Sequence, residues 1–162
     1  VISYYKILTK WVYLHSKGVS MKITGKTIKE LKKGDQAVLQ KTITESDVLM
    51  FAAVSTDNNP VHINDEYAKT TFFKKRIAHG ILSGSLISAV LGNQLPGPGS
   101  IYLSQNYQFK APVFINDTLT AVVEVENVNE EKNKFVFHTY VKNQNDKVVL
   151  DGEALIMPPK TK

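Results

Sequence analysis

Polar and apolar residues alternate along "QAVLQKTIT" after the Gly34–Asp35 turn, the period-two pattern of a strand with one face toward a core. The period then changes. "ESDVLMFAAVS", 45–55, puts acids in a first turn ahead of apolar residues, and Thr44 or Ser46 is in position to cap it, so a short helix is predicted. "STDNNPVHINDEYA", 55–68, breaks the apolar run and reads as a loop, with Asn64 placed to cap a second short helix, "DEYAKTTFF". In "HGILSGSLISAVLGNQLPGPG" the apolar residues Ile81, Leu82, Leu86, Ile87, Val90 and Leu91 recur at helical spacing and leave little polar face, which predicts a buried helix. Pro96, Gly97, Pro98 and Gly99 end it. The remainder is strand-like: "IYLSQNYQFKAPV", "TLTAVVEVENV", "KFVFHTYVKN" and "KVVLDGEALIMP", separated by turns at "IND", "NEEKN" and "QND".

The layout is α+β in a single domain, with antiparallel strands and one buried central helix. A long sheet wrapped around such a helix is the hot-dog architecture. Composition fits a globular chain of 162 residues, 43% hydrophobic and 22% charged. There are no cysteines, which rules out disulfides, thiolate zinc sites and a cysteine nucleophile and suits a reducing cytoplasm. The net charge of +5 changes little once it is located. Residues 1–20 hold Lys6, Lys10 and Lys17 and no acid, so from Met21 onward 20 − 3 = 17 basic residues face 15 acidic ones. Arg76 is the only arginine, and no dense basic stripe exists, so a nucleic-acid surface is not expected.

"VISYYKILTKWVYLHSKGVS", 1–20, carries the only tryptophan, Trp11, and its apolar residues are broken by lysines. It lacks the unbroken core of a secretory signal and the length of a membrane span. It is acid-free like a mitochondrial transit peptide but has no arginine. Residues 1–20 are therefore expected to be an extension and 21–162 the domain, so that a chain starting at Met21 keeps full activity and stability.

"FAAVSTDNNPVHINDEYA", "RIAHGIL" and "LPGPGSIYLSQNYQFKAPVFINDTL", with the closing strands, resemble the MaoC-like family, and within it the (R)-specific enoyl-CoA hydratases. The resemblance runs from about Met21 to the C-terminus, in order and with matching spacing. Thr56 departs from it, since many members have Gly before the aspartate. The resemblance implies a hot-dog homodimer with active sites near the subunit interface, reversible hydration of trans-2-enoyl-CoA to (3R)-3-hydroxyacyl-CoA, and no metal or redox cofactor.

That reaction needs a water deprotonated as it attacks C3, a proton delivered to C2, and stabilisation of negative charge on the thioester oxygen. Asp57 and His62 suit the first two tasks, with Pro60 stiffening the bridge between them, and the resemblance makes them the catalytic dyad. It also makes the Gly80 N–H, at the start of the buried helix, the oxyanion contact. Asn59 and Ser88 match positions that orient the dyad or bound water and substrate. Other residues have plainer readings. Asp and Asn in a loop often only bond their own backbone, and a lone histidine is often structural. His79 is expected to bond locally at the helix start, His138 to lie on the surface, and Ser83 and Ser85 to serve close packing. "KKR", Lys74–Arg76, reads as a solvated face, with contact to CoA phosphates as the alternative.

Two other functions stay open. A hot-dog acyl-CoA thioesterase or acyl-carrier dehydratase often has a carboxylate on the central helix, and "GILSGSLISAVLGNQL" has none. A non-catalytic acyl-binding domain has no need of both Asp57 and His62. The acyl tail is expected to run along the buried helix and stop against Leu86, Ser88, Val90 and Leu91, favouring acyl groups of about four to six carbons, because overpacking rejects extra methylenes.

Overall fold

A computed structural model describes residues 24–160. The expectation for residues 1–20 lies outside them. Five strands form one antiparallel sheet: β1 (Gln36–Thr42), β2 (Ile101–Phe109), β3 (Thr118–Asn129), β4 (Lys134–Lys142) and β5 (Val148–Met157), in the order β1-β3-β4-β5-β2. Four helices accompany it: α1 (Glu45–Ser55), α2 (Pro60–Ile63), α3 (Asp65–Thr70) and α4 (Gly80–Asn93). The expected α+β layout, a sheet around one long helix, is what the chain adopts.

The alternation in the sequence becomes the two faces of the sheet. In β4, Phe135, Phe137, Thr139 and Val141 are buried and their neighbours are not. Together with Leu119, Ala121, Val123 and Val125 of β3 they meet Leu82, Leu86, Ile87, Val90 and Leu91 of α4 in one core. Thr139 is the polar member of that face, and Gln105 Nε2 donates to its hydroxyl at 3.0 Å. Among the described residues no helix is long and apolar enough to cross a membrane.

α4 was expected to be buried nearly all round. Instead Ile81, Ser85, Ser88 and Gly92, at helical spacing, form an exposed stripe. The sheet wraps only the opposite side. Near β2 the approach is close: a Cβ on Gly84 would stand 2.8 Å from the Tyr107 ring, and Tyr107 donates its hydroxyl to the Gly84 carbonyl at 3.2 Å. Burial, aided by the hydroxyl–hydroxyl contact between them, raises the pKa of Tyr102; burial also raises that of Tyr107, so both stay protonated donors.

α1 starts as the sequence indicated. Thr44, not Ser46, is the N-cap, and it forms a reciprocal capping box with Asp47. Asn64 caps α3, as expected. That helix is shorter than "DEYAKTTFF" suggested. It ends at Thr70, where the Thr70 and Thr71 hydroxyls fold back onto the Tyr67 and Ala68 carbonyls and compete with helix continuation.

Candidate active site

The stretch expected to be a loop contains one helical turn, α2. Pro60 supplies a fixed φ at its start, and Asn59 caps it by accepting from the Val61 N–H at 3.2 Å. This turn carries His62 back toward Asp57. Three hydrogen bonds then tie residues 57–62 to the strand-like run before α4. Ile77 N–H donates to the Val61 carbonyl at 3.3 Å, the His62 ring bonds the Ile77 carbonyl through Nδ1 at 2.8 Å, and the His79 ring bonds the Asp57 carbonyl through Nε2 at 2.9 Å.

Those acceptors decide the tautomers. A carbonyl oxygen only accepts, so His62 carries its proton on Nδ1 and His79 on Nε2. In its neutral form the His62 ring therefore presents an unprotonated Nε2, and this nitrogen stands 3.9 Å from Asp57 Oδ2. Asp57 is half exposed and holds the Asn59 N–H with its other oxygen at 3.2 Å. At that separation one water at ordinary hydrogen-bond distance, about 2.8 Å, reaches both groups. The pair is one carboxylate open to solvent and one imidazole largely shielded from it.

His62 and Gly80 both line a pocket of about 460 Å³. Its other walls are chiefly apolar: Phe73, Ile77, Phe109, Val113 and Val149 among them. Gly80 is the first residue of α4, so its N–H has no partner within the helix. A Cβ there would lie 2.7 Å from Phe109 Cε1, so only glycine leaves the space beside this N–H open. The arrangement joins an acid–base pair, a free backbone donor at a helix N-terminus and an apolar cavity.

The structure thus sets Asp57 beside His62 and puts His62 and Gly80 in the wall of one pocket, which Asp57 does not itself line. Asn59 touches no part of the pocket and acts as a helix cap. Ser88 stands apart, on the exposed stripe of α4, about 12 Å along the axis from Gly80 at about 1.5 Å per residue. The acyl wall expected from Leu86, Val90 and Leu91 is corrected: these three are buried in the core, and the pocket uses the first turn of α4 instead. The reason is the direction of the helix, which runs away from its N-terminal site into the sheet.

His79 makes no capping bond, contrary to expectation, because its ring turns into the protein toward Asp57. Its ring lies against His62 with centroids 3.8 Å apart. Donor atoms of Asp57, His62 and His79 fall within 4.8 Å of one another. Stacked rings point their in-plane lone pairs alongside each other, not at a common point about 2.0–2.1 Å from both, so the trio suits a water better than a metal ion. Arg76 is no free phosphate ligand: its guanidinium bonds Glu45 and Asp65, each at 2.9 Å, and pins α1 to α3. Lys74 and Lys75 remain exposed, as a solvated face would have them. His138 lies part-exposed on β4 and bonds Asp151 at 2.8 Å. Ser83 is buried and lines the pocket. The contact of His79 with the Asp57 carbonyl had no signal in the sequence, since the two residues are twenty-two apart and only the fold brings them together.

Comparison with known proteins bears on this geometry. A family model described as "MaoC like domain" matches residues 26–147. A curated protein named (R)-specific enoyl-CoA hydratase, from Rhodospirillum rubrum, is 54% identical over 130 residues, covering 80% of this chain and 90% of the relative. A 3-hydroxybutyryl-CoA dehydratase of Methylorubrum extorquens is 44% identical over 131 residues, with 81% and 83% covered. Among solved structures, the unliganded R-hydratase PhaJ1 from Pseudomonas aeruginosa superposes with a TM-score of 0.81 at 47% identity, covering 86% of this chain and 89% of that one.

Proposed function

The chain belongs to the MaoC-like family, and from that premise we propose that it is an (R)-specific enoyl-CoA hydratase, a hydro-lyase interconverting trans-2-enoyl-CoA and (3R)-3-hydroxyacyl-CoA. The observation that carries the reading is the Asp57 carboxylate facing Nε2 of His62 at 3.9 Å, with His62 and Gly80 in the wall of one apolar pocket. Water held by the pair attacks C3 and gives up a proton to it. The pair returns a proton to C2, so no net proton is consumed. As the C2–C3 double bond opens, charge moves to the thioester oxygen, where the Gly80 N–H donates. Such a donor is typically worth about 2.7–4 kcal/mol in the transition state. No step calls on a metal or redox cofactor. The (3R) outcome rests on kinship with the R-hydratases, not on the geometry of the site.

We also infer a homodimer. β2 is an edge strand, and its Ile101, Leu103 and Phe109 are exposed. A long apolar edge of this kind invites pairing with a second copy. α4 packs on the same strand at Gly80 and Gly84, the residues just before Ile81 and Ser85 of its exposed stripe. Ser88 would then sit at the join between copies and not in its own chain's pocket. The cysteine-free composition supports work in the cytoplasm.

The test follows enoyl absorbance and free CoA together on short-chain enoyl-CoA. A hydratase consumes the first without releasing the second. Release of CoA supports a thioesterase instead, and no change in either leaves an acyl-binding domain. Coupling the product to a (3S)-specific dehydrogenase checks handedness, where rapid turnover contradicts the (3R) assignment.

A further inference from the structure

We propose that His79 is a positioning residue that holds the two halves of the site in register, gripping the Asp57 backbone, bracing the His62 ring and continuing directly into the Gly80 N–H. The proposal rests on the hydratase reading above for its kinetic part.

His79 occupies the N-cap position of α4, where a polar side chain ordinarily accepts from the first turn. It does not, and it is only 2% exposed. Its Nε2–H is spent on the Asp57 carbonyl, so the neutral ring leaves Nδ1 as an acceptor, buried and without a hydrogen-bond partner among the described residues. An apolar ring of the same size would fill the space without that orphaned nitrogen. The imidazole is therefore poorly explained by packing and well explained by what its other nitrogen holds.

What it holds is otherwise loosely tied. The remaining hydrogen bonds to Thr56, Asp57 and Asn58 come from within residues 55–59, among them Asp57 N–H to Ser55 Oγ and Asn59 N–H to Asp57 Oδ1, both 3.2 Å. The bond from His79 is the one hydrogen bond, among the described residues, from beyond that loop to these three positions. The same ring lies on His62 at 3.8 Å with 29° between planes, and Phe51 packs against it at 5.0 Å. Wedged between them, it restricts rotation of the His62 ring and keeps Nε2 aimed at Asp57. A shift of the Asp57 carbonyl or of the His62 ring would pass directly to the distance between base and oxyanion donor, and misplacement of about 1 Å can cost on the order of 100-fold in rate.

Two variants separate grip from brace. His79→Phe keeps an aromatic ring and loses the donor; His79→Gln offers an amide N–H at a similar reach and loses the ring. On crotonyl-CoA, His79→Phe is expected to lower kcat by about 10–100-fold with KM within about 3-fold, and His79→Gln to recover part of the loss. A His79→Phe enzyme with kcat within about 3-fold of wild type overturns the proposal. So does a loss in both variants that merely follows a fall in Tm, the mark of a structural role. Histidine ring ¹⁵N shifts of the wild-type protein give an answer independent of turnover and of variant folding. His62 is expected in the Nδ1–H form and His79 in the Nε2–H form; His79 found in the Nδ1–H form overturns the grip. A wild type that hydrates nothing overturns the hydratase reading, while the tautomers still decide whether His79 holds Asp57.

Discussion

At the scale of single residues, the loop that carries Asp57 begins at a strained position. Thr56 ends α1 in the left-handed conformation, with φ 61° and ψ 10°. That region disfavours a β-branched residue by about 1–2 kcal/mol, which is why glycine suits it. Thr56→Gly should therefore raise stability by about 0.5–1 kcal/mol after the greater freedom of glycine in the unfolded chain is set against the relief. A urea unfolding midpoint that falls instead would show that the threonine side chain stabilises the loop. For the dyad, Asp57→Asn and His62→Ala should each lower kcat by at least about 100-fold with the fold retained. The double variant should lose little more than the worse single one if both groups act on one water, as proposed. Additive losses would argue against a shared task.

At the scale of elements, α1 carries the loop that presents Asp57, and its start is set by the Thr44–Asp47 box. Burial works to raise the Asp47 pKa, but the Thr44 N–H and hydroxyl and the Lys41 ammonium, 3.0 Å away, outweigh it and hold the carboxyl below its usual value. A depressed folded-state pKa means stability that is present above the unfolded value, about 3.9, and lost as pH falls through the folded one. Thr44→Ala should cost about 0.5–2 kcal/mol near neutral pH. The difference from wild type should shrink in acid below about pH 4, once Asp47 is protonated in the unfolded chain. Thermal melts across pH 3–7 check both points, and a gap that stays constant in acid would remove Asp47 from the account. α1, α3 and α4 were readable from the chain because caps and helical spacing are local. α2 was not, because one turn is too short for periodicity to register.

At the scale of the whole molecule, the single chain leaves its edge strand and one stripe of α4 open, and the inferred dimer covers both. Leu103 lies at the irregularity in the β2–β5 register and is 40% exposed. Leu103→Glu places like charges opposite each other across a two-fold edge and should shift the protein from dimer to monomer by light scattering. Hydration should fall at least about 10-fold with it if the sites need the second copy. A wild type that runs as a monomer, with full activity, would discard the dimer. Chain-length preference belongs to this scale too, since the pocket opens beside Phe109 on that edge.

The sequence by itself determined the order of the strands and of α1, α3 and α4, and it singled out Asp57, His62 and Gly80 as candidates, because periodicity, capping and a short motif are properties of neighbouring residues. Only the tertiary structure decided what those residues meet. It placed Phe109 over Gly80, lined the pocket beside His62 with residues near 77 and 109–113 while Leu86, Val90 and Leu91 went into the core, and sent Ser88 to an open face. It also committed Arg76 to Glu45 and Asp65 and turned His79 onto the Asp57 carbonyl. Each of these contacts joins segments far apart in the chain. Their geometry follows from how the sheet wraps the helix, which no local pattern encodes.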